Sequence, residues 1–234
     1  MAVLPQLVRR VKFSNALFDK IVRAGDPSRK SRLHTLRGDR APLSSLADLP
    51  RCLGHTLSLK LFGHRPTLPW IPYPAIRFLH RQLNRNWHVL EIGSGMSTLW
   101  LASHCARVES IEADQRWVDL LQVEIDRRRV TNAHVAFRWV ATEMCDFSQW
   151  PDASFDLALV DGGPRAACFT SALPKVRPGG FIYVDNTDIE NTSGDAGERL
   201  LAHAREHRCR TWTFRSFVPC NLFVNEGMLL QKNS

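Results

Sequence analysis

The sequence predicts an α/β protein: a doubly wound, mostly parallel seven-stranded sheet closed by a C-terminal antiparallel hairpin, with a helical extension ahead of it. Three observations carry this. From residue 88 onward, apolar runs of strand length alternate with helix-compatible segments, the rhythm of a parallel sheet covered on both faces. One run, His88 to Ile92, ends in Gly93-Ser94-Gly95 and passes directly into Ser97-Thr98-Leu99-Trp100-Leu101-Ala102, a strand, a tight glycine turn and a helix start. The last two strand candidates, 209–217 and 219–226, are separated only by a tight turn near Val218-Pro219, and so short a connection implies an antiparallel pair.

The elements follow in order. Residues 1–24 can form one helix, and Leu4, Leu7, Val8 and Val11 recur within it at helical spacing among Arg9, Arg10 and Lys12. Residues 25–50 carry Gly25, Pro27, Gly38, Pro42 and Pro50 and read as loop and turns. The mildly apolar piece Leu57 to Phe62 has no clear type. Pro69, Pro72 and Pro74 forbid a helix through Pro69–Pro74, but Pro74 suits the first turn of the next, Ala75 to Leu83. Strands are expected at 88–92, 107–112, 133–138, 156–161 and 179–185, with helices at 97–105, 114–128, 165–175 and about 194–207. This divides the chain into a basic extension, 1–87, and a ligand-binding domain, 88–234.

Charge is unevenly spread along the chain. Residues 1–88 hold 16 Lys/Arg against 4 Asp/Glu, and 89–234 hold 15 against 19. A basic first third suits an anionic partner such as nucleic acid or a phosphorylated substrate, or simply forms a solvated face. Six cysteines show no Cys-x-x-Cys and no zinc spacing, which points to reduced thiols and a cytoplasmic setting. No run of about 18 apolar residues exists, so no membrane span is expected.

In open α/β sheets, ligands bind beyond the carboxyl ends of the strands, where the strand order switches. Each expected end carries an acid nearby: Glu91 before the glycine turn, Glu112 at the second strand, Glu143 after the third, Asp161 at the fourth and Asp185 at the fifth. Such a set suits a ligand with a sugar diol and a cationic part. Glu112 lies 21 residues after Glu91, close to the roughly 20-residue spacing that places an acid on a ribose. A pyrophosphate is less well served, because Thr98 stands where the third glycine of Gly-x-Gly-x-x-Gly would be.

These stretches resemble the class I S-adenosylmethionine-dependent methyltransferases, a Rossmann-like family. Val89–Gly95 is similar to their first motif, Glu112 to the ribose-binding acid, Phe155–Asp161 to the fourth-strand motif and Leu173–Asp185 to the segment around the fifth strand. The resemblance spans roughly 88–226. It implies S-adenosylmethionine as cofactor, held by Glu91, Gly93, Ser94, Gly95, Ser97, Thr98, Glu112, Ala113, Thr142, Glu143 and Asp161. Trp70 and Tyr73 then either wall the site or pack in the core.

The acceptor must be read near the fourth and fifth strand ends. The Asn-Pro-Pro-Tyr-like tetrapeptide that accompanies nitrogen methylation in this family is missing; the segment reads Val-Asp-Gly-Gly-Pro-Arg. Asp161 with Asp185-Asn186 instead resembles the metal triad of the catechol and caffeoyl-coenzyme A O-methyltransferases, a hard oxygen site suited to Mg²⁺. The lysine those enzymes carry soon after the fourth-strand Asp is replaced by Pro164-Arg165, which puts that metal in doubt. Arginine stays protonated and fits an anion clamp better than a base. Asp161, Asp185 and Arg165 are the catalytic candidates; His64 and His104 are conceivable bases or ordinary packing residues. The polar segment Ile189–Asp195 reads as a substrate loop or as a plain connection.

The sequence therefore points to S-adenosylmethionine-dependent O-methylation of a small molecule or saccharide. Two other functions stay open. One is a nucleic-acid methyltransferase that uses the basic first third, and the other is a binding module that keeps the fold without the chemistry.

Overall fold

The computed structural model describes residues 19–234; most of the helix expected over 1–24 lies outside them, and residues 19–22 are helical. A 3-10 turn at Leu43–Asp48 leads into α1 (Leu49–Phe62), and α2 (Tyr73–Gln82) follows the proline-rich lead. Then come β1 (His88–Ile92), α3 (Met96–Ala102), β2 (Arg107–Glu112), α4 (Gln115–Arg128), β3 (Ala133–Phe137), the single turn α5 (Ala141–Met144), β4 (Phe155–Val160) and α6 (Arg165–Ala172). The chain ends with β5 (Val176–Asp185), the single turn α7 (Glu190–Ser193), α8 (Ala196–Glu206), β6 (Arg210–Val218) and β7 (Asn221–Gln231).

The seven strands form one sheet in the order β3-β2-β1-β4-β5-β7-β6. Neighbours among β1–β5 pair in parallel, and β7 runs antiparallel to both β5 and β6. The chain starts at β1, winds outward to β3 and returns to β4 beside β1. The strand order therefore reverses between β1 and β4, which opens the crevice there.

Strand alternation builds two cores, because successive side chains point to opposite faces. Val89, Leu157, Leu159, Phe181, Tyr183 and Leu229 pack on one face with Ile76 and Leu79 of α2 and Trp100 and Leu101 of α3. Leu90, Ile92, Ala158, Val160, Ile182 and Val184 pack on the other with Phe169 of α6 and Leu200 of α8. The central strands are covered on both sides, which explains their continuous apolar runs.

The segment before β1 is tied to the terminal hairpin by main-chain carbonyls. Arg29 donates to Val224 O (2.8 Å), Arg32 donates to Leu222 O (2.7 Å), and Val224 N donates to Arg32 O (3.0 Å). Asp48 is buried and accepts from Arg77 of α2 (2.5 Å) and Ser216 of β6 (3.1 Å).

Three elements differ from expectation. α1 is a full helix, although only Leu57 to Phe62 looked structured. Its buried side chains are Cys52 and Thr56, while Leu53, Leu57, Leu61 and Phe62 are exposed, so its apolar stripe does not mark its packed face. β5 begins at Val176 rather than 179, because Val176 pairs with Phe155 before a register shift. β7 runs on to Gln231, pairing along both β5 and β6.

Candidate active site

The glycine turn after β1 is fixed by backbone contact across the switch point. Gly93 has φ +93°, and a Cβ there would lie 2.7 Å from Gly162 N and 2.8 Å from the Asp161 carbonyl carbon. A Cβ on Gly162 would lie 2.6 Å from Gly93 Cα. Both positions must therefore be glycine for the ends of β1 and β4 to come this close. Asp161 N donates to Ile92 O (2.8 Å) and Gly93 N donates to Ile111 O (2.8 Å), which locks the turn between its two neighbours.

Thr98, in place of a third glycine, takes on a holding role. Its hydroxyl donates to Glu91 Oε2 (2.5 Å) and accepts from Gly95 N (3.0 Å), so it joins the strand, the turn and the start of α3. Glu91 is fully buried and also accepts from Ser110 Oγ (2.6 Å). Its Oε1 has no hydrogen-bond partner. Burial pushes its carboxyl up to about 7, against the pull of the Ser110 and Thr98 hydroxyls.

A crevice of about 320 Å³ opens over this turn. Its floor is the Gly93–Ser97 stretch, and its sides are Glu112 and Ala113 at the end of β2 and Asp161, Gly162 and Gly163 after β4. Glu112 is held by its neighbours: Oε1 accepts from Ala113 N (2.8 Å) and Asp114 N (3.0 Å), and Oε2 from Ser94 N (3.0 Å). The carboxylate is thus pre-oriented while it still lines open space.

The remaining wall comes from Trp70, one of the two aromatics expected there, and from residues that no local motif marks. Trp117 of α4 donates from its indole to Ser94 O (2.6 Å), and the Arg65 guanidinium lies 5.3 Å from the Trp117 ring centre. Arg65, Leu68 and Trp70 line the crevice from the proline-rich lead, and Met144, the last residue of α5, closes it. Met144, rather than Thr142 or Glu143, reaches the crevice: Thr142 lines a separate surface depression and Glu143 is exposed. Tyr73 is core, with its hydroxyl 2.9 Å from His55 Nδ1. His64 belongs to a different surface hollow, and His104 bonds Trp100 O (2.7 Å) behind α3.

Beyond Asp161 the expected metal triad is rearranged around a cation already in the chain. Arg165 is buried, and one of its nitrogens, Nη2, donates to Asp161 Oδ1 (3.2 Å), Asp161 O (2.6 Å) and Asn186 Oδ1 (3.0 Å). Asp185 Oδ1 accepts from the buried Tyr183 hydroxyl (2.8 Å). Burial, with the Asp161 charge added, pushes the Asp185 carboxyl well above the usual carboxylate range. Asp161 itself is pushed up to about 6 by burial, which the Arg165 charge opposes. One oxygen of each of the three side chains is already engaged by a guanidinium or a phenol, and the Arg165 cation stands where a dication would have to sit. Asp161, Asp185 and Asn186 therefore do not fit Mg²⁺ in this arrangement.

Residues 90–187 match the family described as a methyltransferase domain. No curated protein matches the sequence. Among solved structures, the fold is similar to an O-methyltransferase from Bacillus cereus in complex with SAH, at 25% identity and TM-score 0.55 over 80% of this chain and 91% of that one. It is also similar to the O-methyltransferase TomG from Streptomyces achromogenes, involved in tomaymycin synthesis and in complex with SAM, at 20% identity and TM-score 0.55 over 78% and 89%. An rRNA methylase from Streptococcus thermophilus shares the fold at 14% identity and TM-score 0.52 over 68% and 93%.

Proposed function

We propose that this chain is a class I S-adenosylmethionine-dependent methyltransferase, as the match over residues 90–187 and the shared fold support, and that it methylates a hydroxyl oxygen of a small molecule or saccharide, with Asp161 receiving the acceptor proton. The observation that carries this reading is Asp161. It is the crevice's second carboxylate besides Glu112, its pKa sits near 6, and a buried arginine fixes its position. A base is most effective when its pKa lies near the working pH.

The crevice fits the cofactor on three counts. Its volume is within the roughly 300–1,000 Å³ of small-molecule sites. The Gly93–Gly95 turn lines the floor of the crevice, and the partnerless, buried Glu91 Oε1 favours a positive group nearby. When bound, S-adenosylmethionine supplies an electrophilic methyl group on a sulfonium. Glu112 would accept hydrogen bonds from the ribose hydroxyls, the Gly93–Gly95 turn would carry the methionine part, and Met144 and Trp70 would shield the site from water. Arg165 orients Asp161 and Asn186 at the acceptor side. Such a site acts by alignment and exclusion of water more than by covalent help.

Calorimetric titration with S-adenosylmethionine tests the cofactor assignment. Glu112→Ala removes two charge-assisted hydrogen bonds of about 1.5 kcal/mol each, so Kd should rise about 100-fold. Equal binding by both proteins would defeat the assignment. The acceptor is tested by incubating methyl-labelled S-adenosylmethionine with panels of hydroxylated small molecules and saccharides, and separately with RNA. Label in RNA would favour the second reading, which rests on the excess of 16 basic over 4 acidic residues before residue 89.

Turnover should be unchanged by a chelator and lost in Asp161→Asn. A loss on chelation that Mg²⁺ restores would overturn the arginine-held arrangement. Among the described residues no helix is long and apolar enough to cross a membrane, and all six cysteines are free thiols.

A further inference from the structure

Two of the six thiols meet at the wall of the crevice. Cys145 follows α5, Cys168 lies within α6, and their sulfurs are 2.7 Å apart. Cys168 is buried, whereas Cys145 is partly exposed and lines a surface depression of about 450 Å³ together with Thr142, Pro164 and Ala167. Cys145 is thus reached from solvent through a depression whose lining shares no residue with that of the cofactor crevice. The neighbours of the pair face the crevice itself: Met144 precedes Cys145, Gly163 precedes α6 by two residues, and both line it. Cys168 Sγ also lies 3.7 Å from Met144 O.

We propose that Cys145 and Cys168 form a modification site, a reversible dithiol–disulfide pair oxidised by a low-molecular-weight disulfide, which tethers the Met144 wall to α6. The Cys145 thiolate attacks one sulfur of glutathione disulfide; that S–S bond breaks, and one glutathione leaves as thiolate with the bonding pair. The Cys168 thiol gives its proton to water, and its sulfur attacks Cys145 Sγ and expels the second glutathione thiolate. Two cysteine thiols are oxidised by two electrons, and one disulfide is reduced to two thiols. The hydrogen bond with Cys168 lowers the Cys145 pKa, which suits Cys145 as the attacking group, and the contact between the two sulfurs places Cys168 to resolve the mixed disulfide. Transient pairs of this kind suit a reducing compartment.

The bond itself does not depend on what fills the crevice. Its consequence does: a tethered Met144 can no longer move aside, so release of S-adenosylmethionine slows. Native protein is treated with glutathione disulfide, and thiols are then counted after denaturation. Wild type should fall from six thiols to four without a glutathione adduct, and peptide mapping should find Cys145 joined to Cys168. Cys168→Ser should instead retain glutathione on Cys145, because nothing expels it. Cys145→Ser should keep all five of its thiols. Six thiols remaining in wild type, or two lost at any other pair, overturns the site. Cofactor release, followed by the fluorescence of Trp70 and Trp117, should be about fivefold or more slower in the oxidised chain. Equal rates overturn the coupling to the crevice. A cofactor that binds neither form defeats the cofactor reading and leaves the thiol result standing.

Discussion

Gly93→Ala is expected to lower stability by about 3 kcal/mol or more and to abolish cofactor binding. Two costs add at this position. The backbone is at φ +93°, which L side chains rarely adopt, and the new Cβ would lie within 2.9 Å of three atoms of the 161–162 backbone. Those atoms cannot step aside, since Asp161 N is bonded to Ile92 O and β4 is paired along β1. Relief requires β1 and β4 to separate at the point where the crevice forms. Gly95→Ala is the control. Its backbone is extended, and the nearest atom to its Cβ would be Ser97 Oγ at 3.6 Å. Urea denaturation should place Gly95→Ala within about 0.5 kcal/mol of wild type. Similar losses for both variants would show that the β1–β4 approach is looser than described.

Arg165→Met should cost about 3–5 kcal/mol near pH 8, and much less near pH 4. The methionine keeps most of the volume but leaves Asp161 and Asn186 without their shared donor. Asp161 has a folded pKa near 6, above the roughly 3.9 of an unfolded chain. The unfolded state then binds fewer protons than the folded one between these values, so this group lowers stability as pH rises through that window. Loss of Arg165, which opposes the shift, moves the folded pKa further up and widens the window. Below about pH 4 both states hold the proton, and the variant loses only hydrogen bonds. Denaturation midpoints measured at several pH values should therefore diverge with rising pH. A gap constant across pH would mean that the arginine acts by packing alone.

Local chemistry made much of the fold legible. The βα rhythm, the Gly93–Gly95 turn and the proline-marked start of α2 each follow from propensities within a few residues, and the structure has them. The short connection at Pro219 sufficed to predict an antiparallel hairpin. α1 was not legible, because Leu53, Leu57 and Leu61 sit on the exposed face while its buried residues are Cys52 and Thr56. Periodicity reports which face is apolar, and it assumes that face is the buried one.

The site divides the same way. Glu112 and Asp161 could be read as strand-end acids, since in a parallel sheet those ends share one edge. Arg65, Trp117 and Met144 could not, because they arrive from three separate elements and meet only across the crevice. Nor could the fate of Asp185 and Asn186. Arg165 was visible four residues after Asp161, one helical turn away, but its bond to Asn186 spans the gap between β4 and β5. The sequence by itself determined the sheet, the turn and the acids at its edge, since these depend on residue type and near neighbours. Only the tertiary structure decided that a guanidinium sits among those acids and that two distant thiols touch, because both depend on how separate elements pack.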